Sequence, residues 1–175
     1  MESFNRIRGI AHDTDVAKIT IRGVPDRPGV AAEIFTPLAE AHLSVDTIVQ
    51  NVGDHQLTDI TFTLAKNDVK AALPHVREIA KRIGARDVAA DERMAKVSIV
   101  GTGIQSAPGY AATMFRALSD AGINIDLIST SEIRITCIIP ADRAADAVRA
   151  LHAAFELEKA EASGLGGAVT LTPNP

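Results

Sequence analysis

The sequence has no tryptophan, one tyrosine and one cysteine in 175 residues. A single cysteine excludes an intramolecular disulfide and suits a reducing compartment. No apolar run approaches the roughly 20 residues that a bilayer-crossing helix needs, and the opening "MESFNRIRG" lacks a signal peptide's apolar core. A cytoplasmic protein with no membrane attachment is therefore expected. Lysine and arginine number 18 against 22 aspartates and glutamates, a formal charge of −4, with no basic cluster. A protein that binds a phosphate backbone concentrates positive charge on one face, so nucleic acid is not an expected partner.

Catalytic equipment is equally sparse. The five histidines, His12, His42, His55, His75 and His152, are scattered, with no HExxH pattern and no metal-ligand spacing. "GTGIQS" (101–106) opens like a dinucleotide fingerprint, but Ser106 stands where the third glycine is required, and no GxxxxGK[ST] loop is present. Cys137 alternates with Ile133, Ile135 and Ile139 in "EIRITCII", which places it on a buried strand face as a packed thiol rather than a nucleophile. The expectation is no catalytic residue, no metal and no cofactor.

What the chain does have is 46% hydrophobic content and a repeat. "VAKITIRG" (16–23) alternates as a half-buried strand, with Ala17, Ile19 and Ile21 on one face. A helix follows on Val30, Ile34, Phe35, Leu38 and Ala41, with Asp26 placed as a candidate N-cap and Pro37 expected to kink or interrupt it. "LSVDTIVQN" (43–51) and "TDITFTLA" (58–65) read as a strand hairpin, and Val69 to Ile83 as a second amphipathic helix closed by Gly84. "RDVAAD" supplies a fourth strand, completing β-α-β-β-α-β, the ferredoxin-like unit.

The pattern then restarts. "MAKVSIVGTG" matches "VAKITIRGV", "PGYAATMFRALSDAGINIDLISTS" matches "PGVAAEIFTPLAEAHLSVDTIVQN", and "DRAADAVRALHAAF" supplies the last helix. The fold class is α+β: two ferredoxin-like βαββαβ domains in tandem. Domain 1 spans 14–92 and domain 2 spans 93–160, with a C-terminal tail at 161–175. No clear final strand follows the last helix until "AVTLTP". The spare run "FNRIRGIAHD" is thus placed to complete domain 2 with a strand at 4–12, leaving domain 1 inserted in domain 2.

The repeat also duplicates a turn, "DRPGVAA" (26–32) and "SAPGYAA" (106–112). A strand ending in glycine, then Pro-Gly, then a helix start leaves backbone N–H groups without helical partners, in a field that favours an anion. Such a turn suits an amino-acid carboxylate, with Asp26 facing the ammonium and Gln50 or Asn51 meeting polar atoms from the neighbouring strand end. The same residues also suit a purely structural role, in which Asp26 caps, Pro-Gly turns and Gln50 and Asn51 satisfy strand-end backbone. Tyr110, where the first copy has Val30, is placed as a pocket wall or an interface contact.

Taken together, "ITIRGVPDRPGVAAEIFTPLAEAHLSVDTIVQNV…TDITFTL" and "VSIVGTGIQSAPGYAATMFRALSDAGINIDLISTSEIRITCII" resemble the tandem ACT domains of aspartate kinase. The resemblance implies a non-catalytic regulatory β subunit of an α2β2 enzyme, homodimeric through its ACT domains and partnered with a catalytic α subunit. It implies an allosteric ligand, threonine and/or lysine, acting in feedback inhibition. Carried over by position, the effector site comprises Asp26, Pro28, Gly29, Val30, Ala31, Gln50 and Asn51. Ser129, Thr130 and Glu132 are the matching positions of the second domain, contributed across a subunit interface. The competing expectation is an ACT module that only assembles the holoenzyme and binds no effector. Pro37, Tyr110 and Ile104 depart from the family pattern.

Overall fold

The computed structural model describes residues 7–106 and 108–157. The tail at 161–175 with its "AVTLTP" run, residues 158–160 of the second domain and residues 4–6 of the N-terminal strand lie outside the described residues. The elements are β1 (Ile7–Pro25), α1 (Val30–Glu40), β2 (Ile48–Val52), β3 (Leu57–Leu64), α2 (Val69–Ile83), β4 (Asp87–Gly101), α3 (Tyr110–Asp120), β5 (Leu127–Ser131), β6 (Arg134–Pro140) and α4 (Ala144–Ala154).

Two compact units divide the described residues: an inner one, Asp15–Met94, and a flanking one made of the described residues before Asp15 and after Met94. β1 and β4 are long because each gives one stretch to either unit. The strand order is β2-β3-β1-β4 in the inner unit and β1-β4-β6-β5 in the flanking unit. Both are ferredoxin-like arrangements, with β2 and β5 as open edges.

Each unit has its own core. In the inner unit the alternating faces of β1 and β3 bury Ile19, Ile21, Ile60 and Phe62 against Ile34 and Leu38 of α1 and Val76 and Ile79 of α2. Each such side chain is worth about 1.5–3 kcal/mol when fully buried. In the flanking unit Val97, Ile99, Cys137 and Ile139 pack against Met114, Leu118 and Leu151. Burial pushes the Cys137 thiol up to about 12, so it stays protonated and inert.

Two local expectations are corrected. Pro37 sits inside α1 without ending it. It stands in the last turn, where the missing N–H costs a single bond. Ile133 is not on the buried face: it belongs to the two-residue turn between β5 and β6 and is exposed. Tyr110, placed as a pocket wall or an interface contact, has its ring buried in its unit's core, where it stacks on Phe155 with centroids 6.4 Å apart.

The helix ends show where one copy is strained. α3 closes on Gly122 at φ 67, its N–H reaching the Ser119 carbonyl at 2.8 Å while Ile123 N–H reaches Leu118 at 2.9 Å. α1 closes identically on His42 at φ 58, with 3.0 Å to Ala39 and 2.9 Å from Leu43 to Leu38. A side chain in that left-handed conformation is disfavoured. His42→Gly is expected to stabilise the protein by about 0.5–1 kcal/mol, after glycine's extra unfolded-state entropy is subtracted. A higher urea midpoint at unchanged slope is the check.

Candidate functional site

The first copy of the duplicated turn is built from a bulge, a glycine and two hydrogen bonds. The β1–β3 register shifts between Ile21 and Val24, and the Gly23 N–H donates to the Asp59 carboxylate at 2.8 Å. A Cβ on Gly23 would lie 2.8 Å from the Arg86 Cβ, which leaves no room for another residue there. One turn later the Asp26 N–H donates to the Gln56 carbonyl at 2.8 Å, tying the turn to the β2–β3 loop.

Asp26 is not the N-cap. That position belongs to Gly29, left-handed at φ 90, and no side chain caps α1. Helical bonding begins with Glu33 N–H to the Gly29 carbonyl at 3.0 Å, and the Ala31 and Ala32 amides have no protein acceptor among the described residues. Asp26, Pro28, Gly29 and Ala31 are exposed, while Val30 is buried beneath them. The Asp26 carboxylate is unpartnered among the described residues. Two free amides at a helix N-terminus, with an exposed carboxylate five residues earlier in the chain, are the donor and acceptor types that the two charged ends of an α-amino acid require.

Gln50 and Asn51 stand at the end of β2, paired with Ile60 and Asp59 of β3. Successive strand residues leave opposite faces, so Gln50 shares the helix-bearing face with Ile60 while Asn51 points away from it. The Asn51 carbonyl accepts the Thr58 hydroxyl. β3 lies between β2 and β1, so Gln50 is two strand spacings, about 10 Å, from the turn's own strand. An amino acid held at the turn by its backbone ends would reach Gln50 only with its side chain.

In the flanking unit the second turn repeats the frame and changes the chemistry. Gly109 takes the cap position at φ 108, and Thr113 N–H bonds the Gly109 carbonyl at 2.9 Å. Ser106 stands where the first turn has Asp26; it is exposed and its hydroxyl donates to the Gly103 carbonyl at 3.1 Å, so this turn carries a hydroxyl in place of a carboxylate. Ser129 and Thr130 alternate along β5 opposite Thr136 and Ile135, and Glu132 is exposed in the β5–β6 turn. These three residues belong to a different unit from Asp26, Gly29 and Gln50.

Sequence inspection passed over Arg27 and Glu33. They form a two-point ion pair across the first turn, Nη1 to Oε1 at 2.6 Å and Nη2 to Oε2 at 3.0 Å. The Arg27 hydrogen bonds hold the Glu33 carboxyl below its ordinary value. An arginine and a glutamate on either side of Pro-Gly, present in one copy and missing from the other, was the available signal. The described residues contain no group of three or more histidine, cysteine or acidic side chains able to hold a metal, and no helix long and apolar enough to cross a membrane.

Two ferredoxin-like units, each opening its first helix on a Pro-Gly turn, define a tandem ACT protein, and ACT domain models match residues 19–84 and 97–155. An aspartate kinase of Pseudomonas fluorescens is 52% identical over 152 residues, 87% of this chain and 37% of that protein. The ligand-free regulatory subunit of aspartate kinase from Thermus thermophilus superposes with a TM-score of 0.81 at 42% identity, covering 86% of this chain and 99% of that one. A chain from a crystal structure of aspartokinase alpha and beta subunits gives 0.80 at 43% identity over 86% and 99%. The chain belongs to the aspartate kinase family and corresponds to the family's tandem ACT-domain regulatory region. It spans 37% of the length of the Pseudomonas relatives it matches.

Proposed function

We propose that this subunit senses an end-product amino acid, threonine and/or lysine, and transmits feedback inhibition to an aspartate kinase catalytic subunit in an α2β2 assembly. The observation that carries the proposal is the inner unit's turn, which holds the free Ala31 and Ala32 amides and, five residues before Ala31, the exposed Asp26 carboxylate. Asp26, Pro28, Gly29 and Ala31 are exposed there, whereas small-molecule sites enclose most of their ligand. Closure therefore needs a second surface. The open β2 and β5 edges, each with an exposed isoleucine (Ile48 and Ile128), suit side-by-side pairing with another copy in a homodimer. In that pairing Ser129, Thr130 and Glu132 of the second copy face Asp26, Gly29 and Gln50 of the first.

The ligand inhibits by binding the closed pairing more tightly than the open one, so its effect is limited by that difference in affinity. Calorimetric titration of the chain with threonine and, separately, lysine, beside size measurement with and without ligand, tests the proposal. Saturable binding of one of them with dimer stabilisation is the expected result. No binding of either, repeated with the catalytic subunit present, would leave an assembly module that senses nothing.

A further inference from the structure

Helix α2 gathers positive charge that the linear sequence disperses. Residues 66–86 hold six of the chain's 18 lysines and arginines against two of its 22 acidic residues, although the chain as a whole stands at −4. The expectation of no basic cluster is corrected at this helix: apolar and acidic residues separate the cations along the chain, and the helical turn brings them together. Lys70, Arg77 and Lys81 fall within about 40° of one another at 3.6 residues per turn, in a row about 16 Å long. All three are exposed, and none makes an ion pair or hydrogen bond among the described residues. Glu78, the one acid on α2, lies to the side of the row. The fold does not require these cations: α2 and α4 start at matching points of the repeat, each after a short 3₁₀ turn, and the second copy has Ala145, His152 and Glu156 at the matching positions. The arginines it does carry there, Arg143 and Arg149, are both taken up by Asp146.

We infer that the Lys70–Arg77–Lys81 face of α2 docks an acidic surface of the aspartate kinase catalytic subunit. The inference rests on the reading that this chain regulates a separate catalytic subunit, and it adds the surface of contact. Unpaired cations in a row, on one copy of a repeat in an otherwise acidic chain, complement a partner of negative charge. The face belongs to the helix layer, so the β2 edge stays open to a second copy. A protein surface suits it better than nucleic acid, because three cations over about 16 Å meet few of the charges of a duplex, which carries one about every 1.7 Å. The competing account is a solvated charged face that contributes nothing to assembly.

The two accounts separate on association with the aspartate kinase catalytic subunit of the same organism, titrated at rising salt concentration. The variant Lys70→Glu/Arg77→Glu/Lys81→Glu is compared with wild type and with Arg8→Glu/Arg116→Glu/Arg149→Glu, which changes the net charge equally at exposed arginines outside α2. The expected result is a dissociation constant about 10–100-fold higher for the α2 variant at low salt, with a flatter salt dependence, and a control close to wild type. Lys70→Gln/Arg77→Gln/Lys81→Gln should fall between, since it removes attraction without adding repulsion. Thermal melts of the variants confirm folding. Equal binding by wild type and a folded α2 variant overturns the docking face, as does an equal loss in the control, which would make net charge the cause. Capture of a duplex oligonucleotide that depends on the three cations, with catalytic-subunit binding unchanged, also overturns it. A wild-type chain that does not associate with the catalytic subunit at any salt concentration overturns the reading of a separate regulatory subunit, and the docking face with it.

Discussion

Asp26→Ala in the assembled kinase should raise the effector concentration needed for half-inhibition by about 10–100-fold while leaving uninhibited activity unchanged. The carboxylate is exposed at the turn and makes no bond to the described protein, so its removal leaves no buried group unsatisfied. What it removes is the partner of the ligand's ammonium. Hydrogen bonds to charged groups contribute about 1.5–3 kcal/mol, which sets that range. Asp26→Asn should recover part of the loss, since the amide oxygen still accepts a hydrogen bond without the charge. The measurement is an inhibition curve with threonine and with lysine. An unshifted curve for both would detach the turn from feedback control.

Phe62→Ala is expected to cost about 3–5 kcal/mol. The ring has no solvent exposure, lies in the middle of β3 and meets Phe35 edge to face with centroids 5.3 Å apart. Its neighbours on β1, Ile19 and Ile21, are themselves fully buried and held in sheet register, so they cannot collapse into the space. A domain's whole stability is about 5–15 kcal/mol, so this one change should bring the denaturant midpoint down steeply. In β–β register the matching position of the second copy, opposite Ile128 rather than Ile48, is Cys137. The two cores were therefore filled differently around one backbone plan.

The repeat, the four helices and the alternating strands were legible because each rests on a period that neighbouring residues enforce: Ile19 and Ile21, or Val76 and Ile79, announce their faces without help. Turn chemistry was less so. Asp26 has a good capping side chain, yet Gly29 takes the cap three residues later, because the left-handed backbone at Pro-Gly sets where the helix starts. Residues 43–47 look like strand but precede β2, since the chain must first leave the α1 closure at His42. Ile133 misled because alternation does not reveal that two residues, Glu132 and Ile133, form the whole hairpin turn. At the candidate site the positions of Asp26, Gly29 and Gln50 at a turn and a strand end were readable from the repeat. The Arg27–Glu33 bridge was not, as it joins residues six apart that come together only once the turn has formed.

The division of β1 between the units also fixes an order of events during synthesis. The stretch Ile7–Thr14 is synthesised before the inner unit, but its partners in the flanking unit begin only at Ala95. About 80 residues come between them, several seconds of translation at roughly 5–20 residues per second. In that interval the inner unit has every strand it needs and can close, while Ile7, destined for burial in the flanking core, waits in the open. The nascent chain thus carries a finished domain and an unpaired strand at the same time, and that strand is where a chaperone or a neighbouring chain would first take hold.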